Sequence, residues 1–498
     1  MFHWKSIVNV LGMLIAISGF AILLSLPFSY YYDAPMDATT HPIHHNTPTA
    51  ILYSGLLSLL FGAGIWFVSN RYIGKQEVKK RDGYVIVTLG WLVMSLIGAI
   101  PYVASGAIPS FTDAFFETMS GFTTTGASIL ADQIEALPKG LHFWRAMTHW
   151  IGGMGIIVLT IAILPLLGIG GMQLYAAEVP GPTPDKLTPR VKETAKRLWL
   201  VYFGLTILET ILLMLGEMNF FDAICHAMAT LSTGGFSTKQ ASLGAFGAYS
   251  QYIVIIFMFL AGINFSLTYF ALRGKPIKLW KNEEFRVYLF AVLIITLVAS
   301  LVIYFRNGEP GEKSFRDAAF QVVAIMTTTG FGTADYTSWG PFLLITFFVL
   351  MFTGACAGST SGGVKMVRLV VVIKNAYLEL KRQIHPKAIL PVRFNGKGVQ
   401  QDIVSKMVVF FIIFLGIYIV GCFVMATMVD DFDTILGSVA ATLGNIGPGL
   451  GEVGPSNSQN FAAIPDAGKW FLSFLMLLGR LELFTVLMLF SPFFWYEK

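Results

Sequence analysis

Apolar runs of about twenty residues recur along the chain, divided by short polar stretches. Ile7–Tyr30, Ala50–Val68, Tyr84–Val103, Trp144–Leu167, Leu198–Leu215, Tyr252–Leu272, Phe285–Phe305, Val404–Met428 and Trp470–Phe490 are each long enough to cross roughly 30 Å of hydrocarbon. Phe342–Met351 continuing into Val364–Val372 makes a further, interrupted run. In lipid a segment must satisfy its own backbone hydrogen bonds, so each run is read as a helix. The pattern predicts about ten transmembrane helices: two leading ones, then two per repeat. The first run has no small-residue cleavage site and is read as a span rather than a signal segment.

Inside each later pair of runs lies an apolar piece too short to cross, followed by a glycine-bearing turn. These pieces are Phe111–Gly126, Phe221–Gly234, Phe315–Gly330 and Phe432–Gly447. From Asp113, Asp222, Asp317 and Asp433 to the glycine, the separations are 13, 12, 13 and 14 residues. The layout is a leading two-helix hairpin (1–81) and four span–half-helix–span units at 82–170, 190–275, 283–378 and 400–498. Four copies of one re-entrant hairpin imply four walls around one axis. The fold class is an all-α polytopic membrane protein built around a central pore.

Composition agrees. The chain of 498 residues is 55% hydrophobic and only 13% charged, with a mean hydropathy of +0.67. Soluble domains carry roughly a quarter charged residues, so soluble function classes are excluded. The net charge of +5 is informative through its placement. Arg71, Lys75, Lys79, Lys80 and Arg81 share one connection, and Lys186, Arg190, Lys192, Lys196 and Arg197 the next on that side. Arg273–Arg286 and Lys374–Lys397 are likewise basic, whereas the opposite connections hold few cations. The positive-inside rule puts these linkers and both termini in the cytoplasm, and the four half-helix hairpins outside. Topology thus accounts for the charge, and nucleic acid is not expected as a partner. Cys225, Cys356 and Cys422 show no pairing pattern and are read as buried small residues.

Each half-helix must end near mid-membrane, where its C-terminus carries partial negative charge. Four such ends would stabilise a desolvated cation, with carbonyls of the following turn replacing its water. The candidate ion-binding residues are Thr124, Thr125 and Gly126; Ser232, Thr233 and Gly234; Thr328, Thr329 and Gly330; and Asn445, Ile446 and Gly447. Glycine permits the backbone conformation that aims successive carbonyls inward. Asp113, Asp222, Asp317 and Asp433 sit at the outer ends, suited to capping free amides and to concentrating cations.

These repeats resemble the superfamily of potassium transporters that includes the Trk and Ktr uptake subunits and their fungal and plant relatives, most closely the bacterial TrkH type. The resemblance covers essentially the whole chain. It implies a channel-like, potassium-selective pathway in the bacterial inner membrane, a homodimer with one pore per subunit, and potassium as the transported ion. It also implies a cytosolic TrkA-type ring carrying the regulatory nucleotide (NAD or ATP/ADP), with no covalent cofactor on this chain. Only repeat three approaches the Thr-x-Gly-x-Gly form of tetrameric potassium channels. Repeat four has Ile446 and Pro448, so unequal walls are expected to discriminate ions less sharply.

By the same resemblance Gly354–Gly363, within the polar run that ends at Lys365, is an intramembrane gate, its candidate residues Gly354, Gly358, Ser359, Thr360, Ser361, Gly362 and Gly363, with Lys365 beside them. Such a run makes a poor lipid-facing helix; the alternative is a static break. Lys365 either snorkels to the cytoplasmic side or joins the barrier. Arg480, at membrane depth, must face the interior. It acts either as an electrostatic barrier beneath the filter or as a structural partner of Glu482, Glu117 or Glu209.

Weaker signals are set aside. Gly449–Gly454 fits the dinucleotide pattern but follows no strand. His41, His44 and His45 lie together in an outer loop, read as solvated. Ser359 and Ser361 lack a hydrolase context, so an intramembrane hydrolase is a remote alternative and no enzyme activity is expected. The nearer rival is a sodium- or proton-coupled potassium symporter, which requires two inverted halves. Segments 180–197 and 374–400 are basic and turn-rich, suited to a cytosolic regulator or to anionic lipid.

Overall fold

The structure, a computed structural model, describes residues 2–34, 42–72, 79–130, 133–163, 191–455 and 460–495. The Pro180–Pro184 linker, most of the 180–197 segment, His41, Lys75, Lys186 and Arg190 lie outside the described residues.

Among the described residues, six helices are long and apolar enough to cross a membrane. They are Trp4–Tyr32, Ile43–Arg71, Arg81–Ser105, Ala195–Met214, Glu283–Asn307 and Gln401–Met425, that is, the leading hairpin and the first span of every repeat. Each second span is broken instead. Ala248–Ala261 and Phe265–Leu272 meet at 110°, and Asp466–Arg480 and Phe484–Phe490 at 111°. Lys139–Ile163 has non-helical backbone at Gly155, φ 51°. Pro341–Leu350 and Met366–Ile384 flank the loop at 351–365. Hydropathy exposes only the last of these breaks, because the others are three residues or fewer and average away. Asn264 is a local sign of one: its Oδ1 accepts from Ser266 N at 2.8 Å and starts a new helix.

The leading helices pack closely through small residues. A methyl group at Gly19 would fall 2.4 Å from Leu59 N, and one at Gly62 would fall 2.3 Å from Ala16 N.

The half-helices are Phe111–Phe122, Phe220–Leu231, Gly311–Met326 and Phe432–Leu443. Their capping departs from expectation. Ser110, Asn219 and Asp431 are the caps, accepting from Asp113 N, Asp222 N and Thr434 N. The aspartates lie inside the first turn, or in the second turn for Asp317, because repeat three starts four residues earlier at Gly311. Freed from capping, Asp113 pairs with Lys469 at 2.6 Å. Asp222 accepts from Thr238 Oγ1 at 2.7 Å.

In the cytoplasmic connection, Asn395 and Gly396 (φ 50° and 76°) turn a two-residue hairpin pairing Arg393–Phe394 with Lys397–Gly398. Cys225 and Cys356 are buried and Cys422 half-buried, all as free thiols.

Candidate functional site

The four turns share one backbone signature. Thr124, Thr233, Thr328 and Asn445 have φ of 52°, 55°, 56° and 52°, in the left-handed region. Two residues later Gly126, Gly235, Gly330 and Gly447 have φ of 85°, 78°, 77° and 99°. A β-branched residue there is strained by about 1–2 kcal/mol, and such strain persists only where the surroundings over-determine it. Asn445 tolerates that region better than threonine, which accounts for the substitution in repeat four.

This signature moves the register of repeat two by one residue. The counterpart of Gly126 is Gly235, not Gly234, and the triplet is Thr233-Gly234-Gly235 with Ser232 just before it. The two consecutive phenylalanines (Phe220, Phe221) and two consecutive glycines made the choice ambiguous in sequence. With Phe220 as the reference, each glycine follows Phe111, Phe220, Phe315 or Phe432 by fifteen residues.

The turns meet in a closed cycle. A methyl group added at Gly126 would fall 2.2 Å from Gly234 O, and one at Gly235 would fall 1.9 Å from Thr329 O. At Gly330 it would lie 1.8 Å from Ile446 O, and at Gly447 2.8 Å from Thr125 O. In every repeat the glycine faces the carbonyl of the residue just before the next repeat's glycine. One to two, two to three, three to four, four to one: the ring closes. Gly126, Gly235 and Gly332 also line a cavity of about 210 Å³, together with Arg145, Lys239 and Asp335.

Hydrogen bonds brace this ring. Thr123 and Thr125 hydroxyls lie 2.8 Å apart, as do those of Thr327 and Thr329 at 2.7 Å. Asn445 Nδ2 donates to Thr125 Oγ1 and to Met476 O, both at 2.9 Å, joining repeats four and one.

The 354–365 loop lies directly against the C-terminal ends of three half-helices. Gly362 N donates to Thr328 Oγ1 at 2.6 Å, and Thr360 Oγ1 to Leu231 O at 3.0 Å. A methyl group at Gly362 would fall 2.6 Å from Gly444 O. Within the loop, Gly354 N bonds Val364 O at 2.8 Å, and Ser361 Oγ accepts from Ala355 N at 3.2 Å and contacts Ser359 Oγ at 3.0 Å. Gly358 and Gly363 take φ of 74° and 63°. Phe265 N donates to Gly358 O at 3.1 Å. Lys365 is buried and donates from Nζ to Ser361 O and Oγ, folding back on the loop.

Arg480 is anchored through backbone carbonyls. Its guanidinium donates to Thr360 O at 2.8 Å and to Gly152 O at 2.6 Å, fastening the loop to the second span of repeat one. Glu482 pairs with Arg368. Glu117 pairs with Arg145 at 2.6 Å, and Glu209 is fully buried on the first span of repeat two.

Sequence reasoning missed Glu284. Buried on the first span of repeat three, its Oε1 accepts from Ala357 N at 2.7 Å and from Val367 N at 2.9 Å. One carboxylate oxygen thus holds the loop near both of its ends. An acidic pair opening a long apolar run, Glu283-Glu284, was the available signal, but it reads equally well as ordinary helix N-terminal charge.

His44 lies near the carbonyl of Ala136 at 3.1 Å. Among the described residues no group of three or more His, Cys, Asp or Glu gathers as a metal site would.

A family model described as "TrkH: Cation transport protein" matches residues 48–496. The chain belongs to the TrkH family. The Trk system potassium uptake protein TrkH of Salmonella typhimurium is 40% identical over 99% of this chain and 100% of that protein. The Trk system potassium uptake protein TrkG of Escherichia coli K12 is 36% identical over 87% of this chain and 89% of its own length. The crystal structure of the potassium transporter TrkH from Vibrio parahaemolyticus superposes with a TM-score of 0.86 at 36% identity, covering 99% of this chain and 100% of that one. The TrkH family is one of multi-pass membrane transporters rather than enzymes, so the hydrolase alternative falls away.

Proposed function

We propose that this chain carries potassium across the cytoplasmic membrane, inward and down its electrochemical gradient, through the ring formed by the four turns. The observation that carries the reading is the cyclic contact of each glycine with the next repeat's carbonyl. The names of its relatives, potassium uptake proteins, supply the ion. The carbonyls of Thr125, Gly234, Thr329 and Ile446 stand in for the ion's water, and the negative ends of four half-helix dipoles stabilise the bare charge.

Below the ring, the 354–363 loop is the gate, held between Thr328, Leu231 and Arg480. The Arg480 charge slows cations at that level until the loop moves. The move is driven by a cytosolic TrkA-type nucleotide-binding ring docking on the basic 374–400 connection. The protein works as a homodimer in the inner membrane with both termini cytoplasmic. A pore is favoured over coupled symport because four like-oriented repeats contribute equivalent atoms to one ring, which leaves no inverted half to rock.

Isotope flux into liposomes holding the purified protein tests the reading. Potassium and rubidium should enter faster than sodium and lithium. Gly330→Ser places a side chain against Ile446 O and should narrow that preference. Unaltered flux and preference in this variant would remove the turn of repeat three from the filter.

A further inference from the structure

One position of the half-helices is polar and buried in all four copies. Counting Phe111, Phe220, Phe315 and Phe432 as the first residue, the seventh is Glu117, His226, Gln321 and Ser438. None is more than 2% exposed. In three repeats this side chain reaches the segment that leaves the glycine turn. Glu117 accepts from Ser128 Oγ and Ile129 N, both at 3.0 Å. His226 has one ring nitrogen 2.7 Å from Asp222 O and the other 2.9 Å from Ser237 Oγ. A carbonyl only accepts, so Nδ1 carries the proton and Nε2 accepts from the Ser237 hydroxyl. Gln321 Nε2 donates to Ala334 O at 3.1 Å.

Arg145 links the first two of these contacts. Its Nε meets Glu117, its Nη1 donates to Ser237 O at 2.9 Å, and its guanidinium lies 3.5 Å over the Phe236 ring. Repeat four differs. Ser438 Oγ donates to Ile435 O inside its own half-helix, and the segment after Gly447 is held from repeat three, by Tyr336 OH to Gly449 O at 2.7 Å.

We propose that Glu117, His226 and Gln321 are positioning residues that set ion preference by clamping the exit segments of walls one to three, with Tyr336 serving wall four in their place. The proposal rests on the reading of the turns as the filter. The clamp hydrogen bonds reach the exit segments, at Ser128, Ile129, Ser237, Ala334 and Gly449. They act through the chain that continues from each glycine, limiting how far a wall shifts when a smaller or larger ion sits in it. Discrimination by a carbonyl ring depends on the number and placement of its oxygens, so a loosened wall discriminates less.

The test compares rubidium and sodium flux in liposomes for the full-length wild type, Gln321→Met, Tyr336→Phe and Gly330→Ser. Gln321→Met keeps length and burial but has no donor, and Tyr336→Phe removes one hydroxyl from an otherwise unchanged ring. The rubidium-to-sodium ratio should fall by about fivefold in each, the effect of one buried hydrogen bond, with the yield of folded protein maintained. A lower total flux at wild-type ratio would mark an ordinary structural role and overturn the proposal. So would wild-type ratios in both clamp variants while Gly330→Ser narrows the preference, an outcome that leaves the filter reading standing. If Gly330→Ser is also without effect, the filter reading fails first and the clamps with it.

Discussion

Glycine in these turns answers to a carbonyl oxygen rather than to flexibility alone. The room for a side chain is smallest at Gly330 and Gly235 and largest at Gly447, where the facing oxygen is 2.8 Å from the position of a methyl group. Alanine at 235 or 330 should therefore degrade ion preference more than alanine at 447, as read from rubidium and sodium flux; a reversed order would contradict the ring geometry. Caps obey separate rules. Asp431→Ala removes the acceptor for Thr434 N and should lower stability by about 1 kcal/mol, seen as a reduced Tm, with ion preference intact. Hydrogen bonds from Thr434 hold the Asp431 carboxyl below its usual range. A depressed carboxylate contributes its stability above the ordinary carboxylate range and loses it as pH falls through the lowered value. Acidification from about pH 7 to pH 5 should therefore leave this cap working.

Among the elements, the contrast between intact first spans and broken second spans organises the molecule. Ile43–Arg71, Glu283–Asn307 and Gln401–Met425 leave most of their apolar surface uncovered, while the breaks interrupt spans with irregular backbone, which a membrane tolerates only when it is buried in protein or lines a path. The half-helices and the repeat-three loop were legible in the chain because their glycines and threonines interrupt hydropathy over many residues. The breaks at Gly155, at 262–264 and at 481–483 were not, since so few residues barely change a twenty-residue average. The slipped register of repeat two has a similar origin: sequence offers two phenylalanines and two glycines, and only backbone angles choose between them. Glu284, on an intact span, steadies the most irregular element. Glu284→Ala leaves two buried amides without their acceptor, at roughly 1–3 kcal/mol each, and should raise flux in the absence of any regulator while preserving ion preference. Glu284→Gln keeps an acceptor oxygen and should behave nearly as wild type. Equal leak in the alanine variant and the wild type, measured in liposomes, would detach Glu284 from the proposed gating role of the loop.

In the whole molecule, four unequal repeats build one ring. The sequence announced the repetition through the recurring half-helix and glycine, but it could not show which atoms meet, since each contact joins residues at least ninety positions apart. Asymmetry also becomes intelligible only at this scale: repeat four lacks a long polar residue at its seventh position and borrows Tyr336 from repeat three. Crystals grown with thallium, a heavy monovalent stand-in for potassium, give the most direct test. Anomalous density should lie on the axis enclosed by Thr125, Gly234, Thr329 and Ile446 and disappear from Gly330→Ser crystals. Thallium bound only elsewhere, with that axis empty in the wild type, would contradict a filter made by the four turns.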